Sequence, residues 1–112
     1  MYLYVEMWNA KPEWMAATKK ERKAYMKKVD AFLDKIIDPK TCHVTAACIN
    51  DGDIAPRAGY TYLIVWALKD KSYVSKVADG TARIGQYGYF EQVNMGGDNV
   101  STDAIKRALM EL

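Results

Sequence analysis

Long apolar runs and an excess of charge of one sign are both missing from this sequence of 112 residues. Sixteen basic residues against fourteen acidic ones give a net charge of +2, too little to predict nucleic acid or an anionic membrane as an obligate partner. No apolar stretch approaches the roughly 20 residues that a membrane span requires. The first residues, Met1 to Glu6, also lack the basic and leucine-rich regions of a secretory signal. We therefore expect a cytoplasmic protein with no membrane partner.

Cysteine is scarce, with two residues in the chain, Cys42 and Cys48. They lie in a stretch with the character of a strand, which at about 3.3 Å per residue separates them by roughly 20 Å. A disulfide would need a sharp bend between them, and no C-x-x-C pair occurs. We therefore expect two reduced thiols, as is usual in a cytoplasm.

Motifs for nucleotides and metal ions are also missing. The sequence contains no G-x-x-x-x-G-K-[ST], G-x-G-x-x-G, G-x-S-x-G or H-E-x-x-H pattern. The run Asp51-Gly52-Asp53 resembles the start of a calcium loop, but the later carboxylates of such a loop are absent, so we interpret the run as a turn. The sequence therefore predicts no metal site and no cofactor.

The chain does contain enough apolar sequence for one core. Half of its residues are hydrophobic and 27% are charged, which is the ordinary globular range, and its length leaves room for one domain over residues 1–112. Strand-like and helix-like patterns alternate along it. We predict strands over residues 2–8, 43–50, 60–68 and 87–94, a helix from the Thr18 capping box to just before Asp38-Pro39, a helix capped by Asp70, and a short helix from about Ser101.

The predicted order β-α-β-β-α-β plus a terminal helix is that of an α+β, ferredoxin-like fold: a four-stranded antiparallel sheet with the helices on one face. Alternation along each strand divides the side chains between two faces. To the helix-covered face we assign the small and aliphatic set: Leu3, Val5, Met7, Val44, Ala46, Cys48, Leu63, Val65 and Ala67. The open face then carries the aromatic set: Tyr2, Tyr4, Glu6, Trp8, His43, Thr45, Ile49, Tyr60, Tyr62, Ile64, Trp66, Tyr87, Tyr89 and Glu91. Because so large an aromatic face should not remain in water, we expect a second copy of the chain to cover it in a homodimer.

Several segments resemble those of a known group of small proteins. They are the opening Met1–Trp8 with Lys11-Pro12-Glu13-Trp14, the central Asn50-Asp51-Gly52-Asp53, the strand Tyr62–Trp66 and the closing Tyr89–Asn94. Through nearly its whole length the chain resembles an uncharacterised bacterial family in the dimeric α/β-barrel superfamily. The resemblance implies two protomers that pack their open sheet faces together, with a pocket between sheet and helices or within the barrel. Members of the superfamily include cofactor-independent monooxygenases, haem-degrading oxygenases, small isomerases and plain binding or stress proteins, so it does not select an activity.

The RNA-recognition fold shares this element order and stacks bases on the aromatic residues of its sheet. Here the third and fourth strands lack the basic-glycine-aromatic run of that fold, and Glu6 and Glu91 on the open face would repel phosphates. The lysines of the first long helix are interpreted as a solvated outer face. We expect no nucleic-acid partner.

Glu6 and Glu91 are the candidate catalytic residues. The first and fourth strands are neighbours in the ferredoxin-like order, and a register that joins residue 2 to the low nineties would bring the two carboxylates close together. Two carboxylates in one apolar site raise the pKa of one of them, which provides a general acid or base near neutral pH. The alternative is a carboxylate that a tyrosine hydroxyl or Arg57 satisfies, or one at a wet rim.

A stacking pocket for a flat organic molecule is the candidate binding site. We assign to it the aromatic residues Tyr4, Trp8, Tyr62, Trp66 and Tyr89, which would equally serve as the core of a dimer, and His43, the one histidine of the chain, which would equally be structural. The sequence thus predicts binding of a small aromatic or hydrophobic molecule in a barrel pocket, with cofactor-independent oxygenase or isomerase chemistry in its enzymatic version. The alternative is a non-catalytic binding protein, or a homodimer whose aromatic sheet face is only an interface.

Overall fold

Four strands and five helices follow one another along the chain in a computed structural model that describes residues 1–112. Local sequence signals set the ends of several helices, and the four strands form one sheet. In chain order they are β1 (Tyr2–Ala10), α1 (Pro12–Ala16), α2 (Lys19–Ile36), β2 (Cys42–Ile49), β3 (Tyr62–Leu68), α3 (Val74–Arg83), α4 (Gln86–Tyr89), β4 (Phe90–Asp98) and α5 (Thr102–Met110), with a 3₁₀ turn over Lys71–Tyr73.

Three helical segments begin where the sequence predicts them, because a side-chain cap lies at or just ahead of each start. The Thr18 hydroxyl accepts the amide of Glu21, and the Glu21 carboxylate accepts the amide of Thr18, which together form the predicted capping box of α2. Asp70 accepts the amide of Ser72 ahead of α3, and Ser101 accepts the amide of Ala104 at the start of α5. The short helix α1 is not predicted; it begins at Pro12, whose fixed φ suits a first helical position.

The sheet is antiparallel throughout, with the strand order β2-β3-β1-β4. This is an α+β architecture compatible with the predicted ferredoxin-like fold. Strand β1 lies at the centre, where Glu6 pairs with Ile64 of β3 on one side and with Asn94 of β4 on the other. No helix of the chain is both long enough and apolar enough to cross a membrane.

The predicted assignment of the sheet faces is wrong, since the aromatic face is the one under the helices. Tyr4, Trp66 and Leu68 are buried there against Val77 of α3 and Leu33 of α2. Both faces carry apolar side chains, so alternation separates the two sets without saying which set the helices cover. The indole and phenol rings are long enough to fill the space under α2 and α3, and the aliphatic side chains of β1 and β3 are left on the uncovered face, which we call the open face: Leu3, Val5, Met7, Leu63, Val65 and Ala67.

A β-bulge in β2 changes the face of its later residues. The register shifts between Val44, which pairs with Trp66, and Ala46, which pairs with Val65. Thr45 is the extra residue, and it places Val44 under the helices and Ala46 on the open face. The prediction that these two residues share a face is therefore wrong.

Strand β4 begins later than predicted and extends further. Residues 86–89 form the short helix α4 instead of strand, after a left-handed turn at Gly85, whose φ is +89°. The strand continues through Met95-Gly96-Gly97, predicted as a turn, so that Tyr2 pairs with Asp98 and not with a residue in the low nineties.

Helix α5 extends away from the rest of the protomer. None of its residues is buried, and its apolar side chains Ile105, Leu109 and Met110 are exposed. The molecule is correspondingly elongated, with principal extents of 51 × 35 × 20 Å. Cys42 is buried and Cys48 exposed, and neither forms a disulfide, as predicted.

Candidate functional site

A cavity lies between the sheet and the two long helices, on the aromatic face. Its volume is about 200 Å³, and its walls come from β1, β3, β4, α2 and α3. A cavity of about 150 Å³ already accepts benzene, so this one has room for a small ring compound. Most of the lining is apolar, and Glu6 is its one carboxyl group.

Glu6 is 6% exposed at the centre of β1 and both of its oxygens accept hydrogen bonds. The indole Nε1 of Trp66 donates to Oε1 over 2.7 Å, and Nε2 of Gln92 donates to Oε2 over 2.7 Å. The two donors stand on the strands that flank β1, because Trp66 belongs to β3 and Gln92 to β4. The sheet itself therefore holds the carboxylate in place.

A chain of hydrogen bonds continues from Gln92 to helix α2. Nε2 of Gln86 donates to Oε1 of Gln92 over 3.1 Å, and the hydroxyl of Tyr25 donates to Oε1 of Gln86. The second proton of the Gln92 amide goes to Oδ1 of Asn94 over 2.9 Å. Neutral side chains thus connect a helix residue to the buried carboxylate, and every donor in the chain faces toward Glu6.

Burial raises the pKa of Glu6 above its ordinary value, and the hydrogen bonds from Trp66 and Gln92, with the Thr81 hydroxyl close by, oppose that rise. The Thr81 hydroxyl itself donates its proton to the carbonyl of Val77. Burial, with the nearby charge of Glu6 as the next cause, raises the pKa of Tyr4 and of Tyr25 to about 12. Both phenols therefore keep their protons at neutral pH, and Glu6 is the one carboxyl group of the lining.

The predicted pairing of Glu6 with Glu91 is wrong. Glu91 pairs with Asn9 in the register of β1 and β4, whereas Glu6 pairs with Asn94. The side chain of Glu91 consequently lies on the open face and is exposed, while Gln92 occupies the place beside Glu6. The shift of β4 toward the C-terminus is the reason.

The predicted aromatic residues are only partly brought together. Trp8 and Trp66 line the cavity. Tyr62 stacks on Trp8 with ring centroids 5.7 Å apart but lies outside the lining. Tyr4 is 5% exposed and belongs to the packed core. Tyr89 is in α4, where its ring packs at 5.2 Å against Trp14 and at the same distance against Tyr25.

His43 lies on the other side of the sheet from this cavity. It pairs with Ala67 near the start of β2, on the open face, so the prediction that it shares a face with Tyr4 and Trp66 is wrong. Its Nδ1 atom is buried and has no hydrogen-bond partner within the protomer. His43 therefore does not contribute to the carboxylate site.

Sequence reasoning missed the two glutamines of the site and the role of the helix residues. The helical spacing of apolar residues in α2 predicts only that this helix packs on the sheet. In the structure four of them also line the cavity: Tyr25, Met26, Val29 and Phe32. Gln86 and Gln92 carry no local signal, because glutamine is common on surfaces and their partners are 61 and 86 residues away in the chain. The structure brings no three His, Cys, Asp or Glu side chains together in the way that a metal ion would require.

Fold and site together define an α+β protein with a four-stranded antiparallel sheet, two helices over its aromatic face, and an apolar cavity with one buried carboxylate. The chain belongs to the family described as "Family of unknown function (DUF6616)", whose model matches residues 1–112. A search of curated proteins finds no sequence relative of this chain.

Two solved structures share the fold, both of the protein At3g17210 from Arabidopsis thaliana. The ensemble-refined crystal structure has a TM-score of 0.61 and 13% sequence identity, over 90% of this chain and 97% of that chain. The solution structure, described as that of a hypothetical protein, has a TM-score of 0.59 and 12% identity, over 89% of this chain and 88% of that chain. At this level of identity the similarity extends to the fold alone.

Proposed function

We propose that this protein binds a small, flat, mostly apolar molecule in the cavity between sheet and helices, with Glu6 as the polar group that orients the molecule and exchanges a proton with it. The observation that carries the proposal is a buried carboxylate that opens into an otherwise apolar cavity. Burying such a group is costly, and a folded protein keeps it where hydrogen bonds or a function compensate.

The coordination of Glu6 supports a role toward a ligand. A carboxylate has about four lone-pair positions, and Trp66 and Gln92 occupy one on each oxygen. Glu6 also forms part of the cavity wall, so its remaining acceptor positions serve a molecule in the cavity. The indole rings of Trp8 and Trp66 provide flat surfaces against which an aromatic ring stacks.

The chemistry that this arrangement favours is proton transfer without a cofactor. The Glu6 carboxylate, made more basic by burial, takes a proton from an acidic O–H or C–H bond of the bound molecule. The resulting anion either reprotonates at another atom, which is an isomerisation, or, for an electron-rich phenol, reacts with molecular oxygen. The rings of the cavity exclude water from that anion.

A ligand screen with two glutamate variants tests the proposal. Flat aromatic compounds are screened by the fluorescence of the tryptophans, and those that bind are assayed for turnover. We expect Glu6→Gln to lower turnover about a hundredfold, the loss expected when a general base is removed. Glu91→Gln changes an exposed carboxylate of the open face and should leave turnover intact. Binding without turnover would support the non-catalytic alternative, and binding by no compound would overturn the proposal.

We also propose that the protein is a homodimer that buries the open face of each sheet. The open face is mostly aliphatic and carries no salt bridge, and it includes Met95, whose side chain is 69% exposed. Covering such a face is worth about 25 cal/mol per Å² of apolar surface. The aromatic residues that the sequence assigned to this interface are covered by helices, so the interface is aliphatic instead.

A further observation supports a second copy of the chain as the cover. Helix α5 extends from the body with exposed Ile105 and Leu109, which a second protomer would cover. A symmetric pair covers the open face and α5 in one arrangement, since each protomer offers the same surfaces.

A further inference from the structure

The carboxylate of Glu6 has no cationic partner. The one salt bridge of the chain joins Lys106 to Asp103 at the surface of α5, over 3.7 Å. No lysine, arginine or histidine lines the cavity. A carboxylate that is both buried and without a counter-ion is uncommon, because its charge is stabilised there only by hydrogen bonds.

Both hydrogen bonds to Glu6 have the carboxylate as acceptor, which favours its charged form. The indole of Trp66 can only donate, so Oε1 must accept. On the other oxygen, Gln92 gives one amide proton to Glu6 and the other to Asn94, while its own oxygen accepts from Gln86. Neither protein partner is thus set to accept a proton from Glu6.

The walls around this carboxylate are rings. Trp8, Tyr25, Phe32, Trp66 and Phe90 all contribute to the lining. The face of an aromatic ring carries partial negative charge and attracts a cation within about 6 Å of its centre, Trp more strongly than Tyr or Phe. The structure thus places one carboxylate and several rings, the two kinds of group that attract a cation, in the lining of one cavity.

We propose that the molecule bound in this cavity is a small organic cation: a protonated amine on an aromatic or aliphatic body, whose N–H groups donate to the free acceptor positions of Glu6 while its body packs against the rings. This inference rests on the proposed function, because it names the class of ligand for the same cavity. The observations behind it are geometric: a buried carboxylate without a counter-ion, a hydrogen-bond donor on each of its oxygens, and aromatic rings in the same lining. A cavity of about 200 Å³ suits an amine with roughly the size of benzylamine.

Three compounds of matched size separate charge from shape. Benzylamine carries a positive charge at neutral pH, benzyl alcohol is its neutral counterpart, and benzoate is the anion. Binding of each to the wild-type protein is measured by calorimetry and by tryptophan fluorescence. We expect benzylamine to bind at least about tenfold more tightly than benzyl alcohol, since a charge-assisted hydrogen bond is roughly twice as strong as a neutral one, and benzoate not to bind.

Three variants test which residues cause the preference for benzylamine. Glu6→Gln removes the charge and keeps the size, so it should abolish the preference for benzylamine and retain the binding of benzyl alcohol. Glu13→Gln removes an exposed carboxylate of α1 and should leave the preference unchanged. Trp8→Leu keeps the carboxylate but removes one ring, and it should weaken benzylamine more than benzyl alcohol.

The outcomes distinguish this inference from the proposed function. Benzyl alcohol that binds as tightly as benzylamine, or more tightly, overturns the cationic ligand but leaves a cavity for neutral ring compounds. A benzylamine preference that persists in Glu6→Gln overturns the role of Glu6. No binding by any of the compounds, here and in the wider screen, overturns both proposals.

Discussion

Trp66 contributes both to the packing of the core and to the hydrogen bonding of Glu6. Its ring is 2% exposed and belongs to the core with Leu68 and Val77, and its Nε1–H is one of the two donors that hold the Glu6 carboxylate. A hydrogen bond to a charged group contributes more to stability than a neutral one, and the loss of its donor leaves a buried charge less satisfied. The indole therefore couples the packing of the core to the state of the site.

Replacing Trp66 by phenylalanine should separate the packing of the ring from its hydrogen bond to Glu6. Trp66→Phe removes the donor to Glu6, and Trp8→Phe removes the same ring atoms from the same cavity without removing a donor to Glu6. We expect Trp66→Phe to lower the free energy of unfolding by about 1.5 to 3 kcal/mol more than Trp8→Phe does. Urea unfolding followed by circular dichroism measures both values, and equal losses would mean that this hydrogen bond contributes nothing net.

The raised pKa of Glu6 has a consequence for stability that depends on pH. Above its ordinary pKa of 4.5 the unfolded chain loses the Glu6 proton, while the folded protein still retains it. The folded state then binds more protons than the unfolded state, so the stability that Glu6 contributes is full below pH 4.5 and is lost as pH rises through the raised pKa.

The matched variant for this effect is Glu6→Gln, which does not titrate at this position. The difference in free energy of unfolding between wild type and Glu6→Gln should shift against the wild type as pH rises from about 4 to about 8. The other carboxylates titrate in both proteins, so their contributions cancel in the difference. Unfolding curves over this range measure it, and a constant difference would show that burial does not perturb this carboxyl group.

At the scale of single residues, sequence predicted the central group of the site and not its partners. Glu6, Trp8 and Trp66 were identified because they alternate along strongly patterned strands. The prediction that Glu91 lies beside Glu6 depends on the register between β1 and β4, which are distant in sequence. An error of one residue in that register moves a side chain to the other face of the sheet. Tertiary pairing set that register, and the sequence near Glu91 carries no sign of it.

Elements whose ends depend on local chemistry were predicted well, and those that depend on distant contacts were not. The capping box at Thr18 and the caps at Asp70 and Ser101 act within a few residues, so the helix starts follow from the sequence. The bulge at Thr45 and the start of β4 at Phe90 depend on neighbouring strands. The strand over Tyr62–Leu68 is intermediate. Its hydrophobic run predicts a strand, but the sequence does not say which of its two faces the helices cover.

Helices α2 and α3 meet closely at Gly80. A methyl group at this position would overlap the ring of Phe32, which also lines the cavity. Alanine normally stabilises a helix interior by about 1 kcal/mol relative to glycine. At this position we expect Gly80→Ala to destabilise the protein by about 1 to 3 kcal/mol instead, because the ring must move within a packed contact.

Gly88→Ala is the control for this substitution, because nothing lies within 4 Å of a methyl group built at Gly88. It should change the midpoint of thermal unfolding little, whereas Gly80→Ala should lower it clearly. Phe32→Leu in the Gly80→Ala background should recover part of the loss by making room for the methyl group. If both alanine variants unfold at the temperature of the wild type, the two helices are further apart than the structure has them.

At the scale of the whole molecule, the proposed homodimer buries the open face of each protomer. We expect light scattering to give a mass of about twice the 12.7 kDa of one chain. Val65, which pairs with both Val5 and Ala46, stands near the middle of that face. Val65→Lys should convert the dimer to a monomer, since association would bury an unpaired charge.

Lys23→Glu is the matched surface change, because Lys23 is an exposed residue of α2 on the other side of the sheet. It should leave the mass of the particle unchanged. The sequence assigned the interface to Ile64 and Trp66, whose side chains contact the helices, so variants there would test the core and not association. A monomer in wild-type protein at micromolar concentration would rule out the homodimer.

The hydrogen bonds from Tyr25 to Glu6 all have their donors on the side away from Glu6, and one proton on Glu6 would reverse this donor direction. If Glu6 gains a proton on Oε2, it must donate to Gln92, whose amide then turns over and presents its oxygen. Gln86 and Asn94 must turn in response, and the Tyr25 hydroxyl changes from donor to acceptor. The charge of a residue in the centre of the sheet thus sets the orientation of three amides and of a hydroxyl on a helix, so their side-chain signals would follow its titration from a distance.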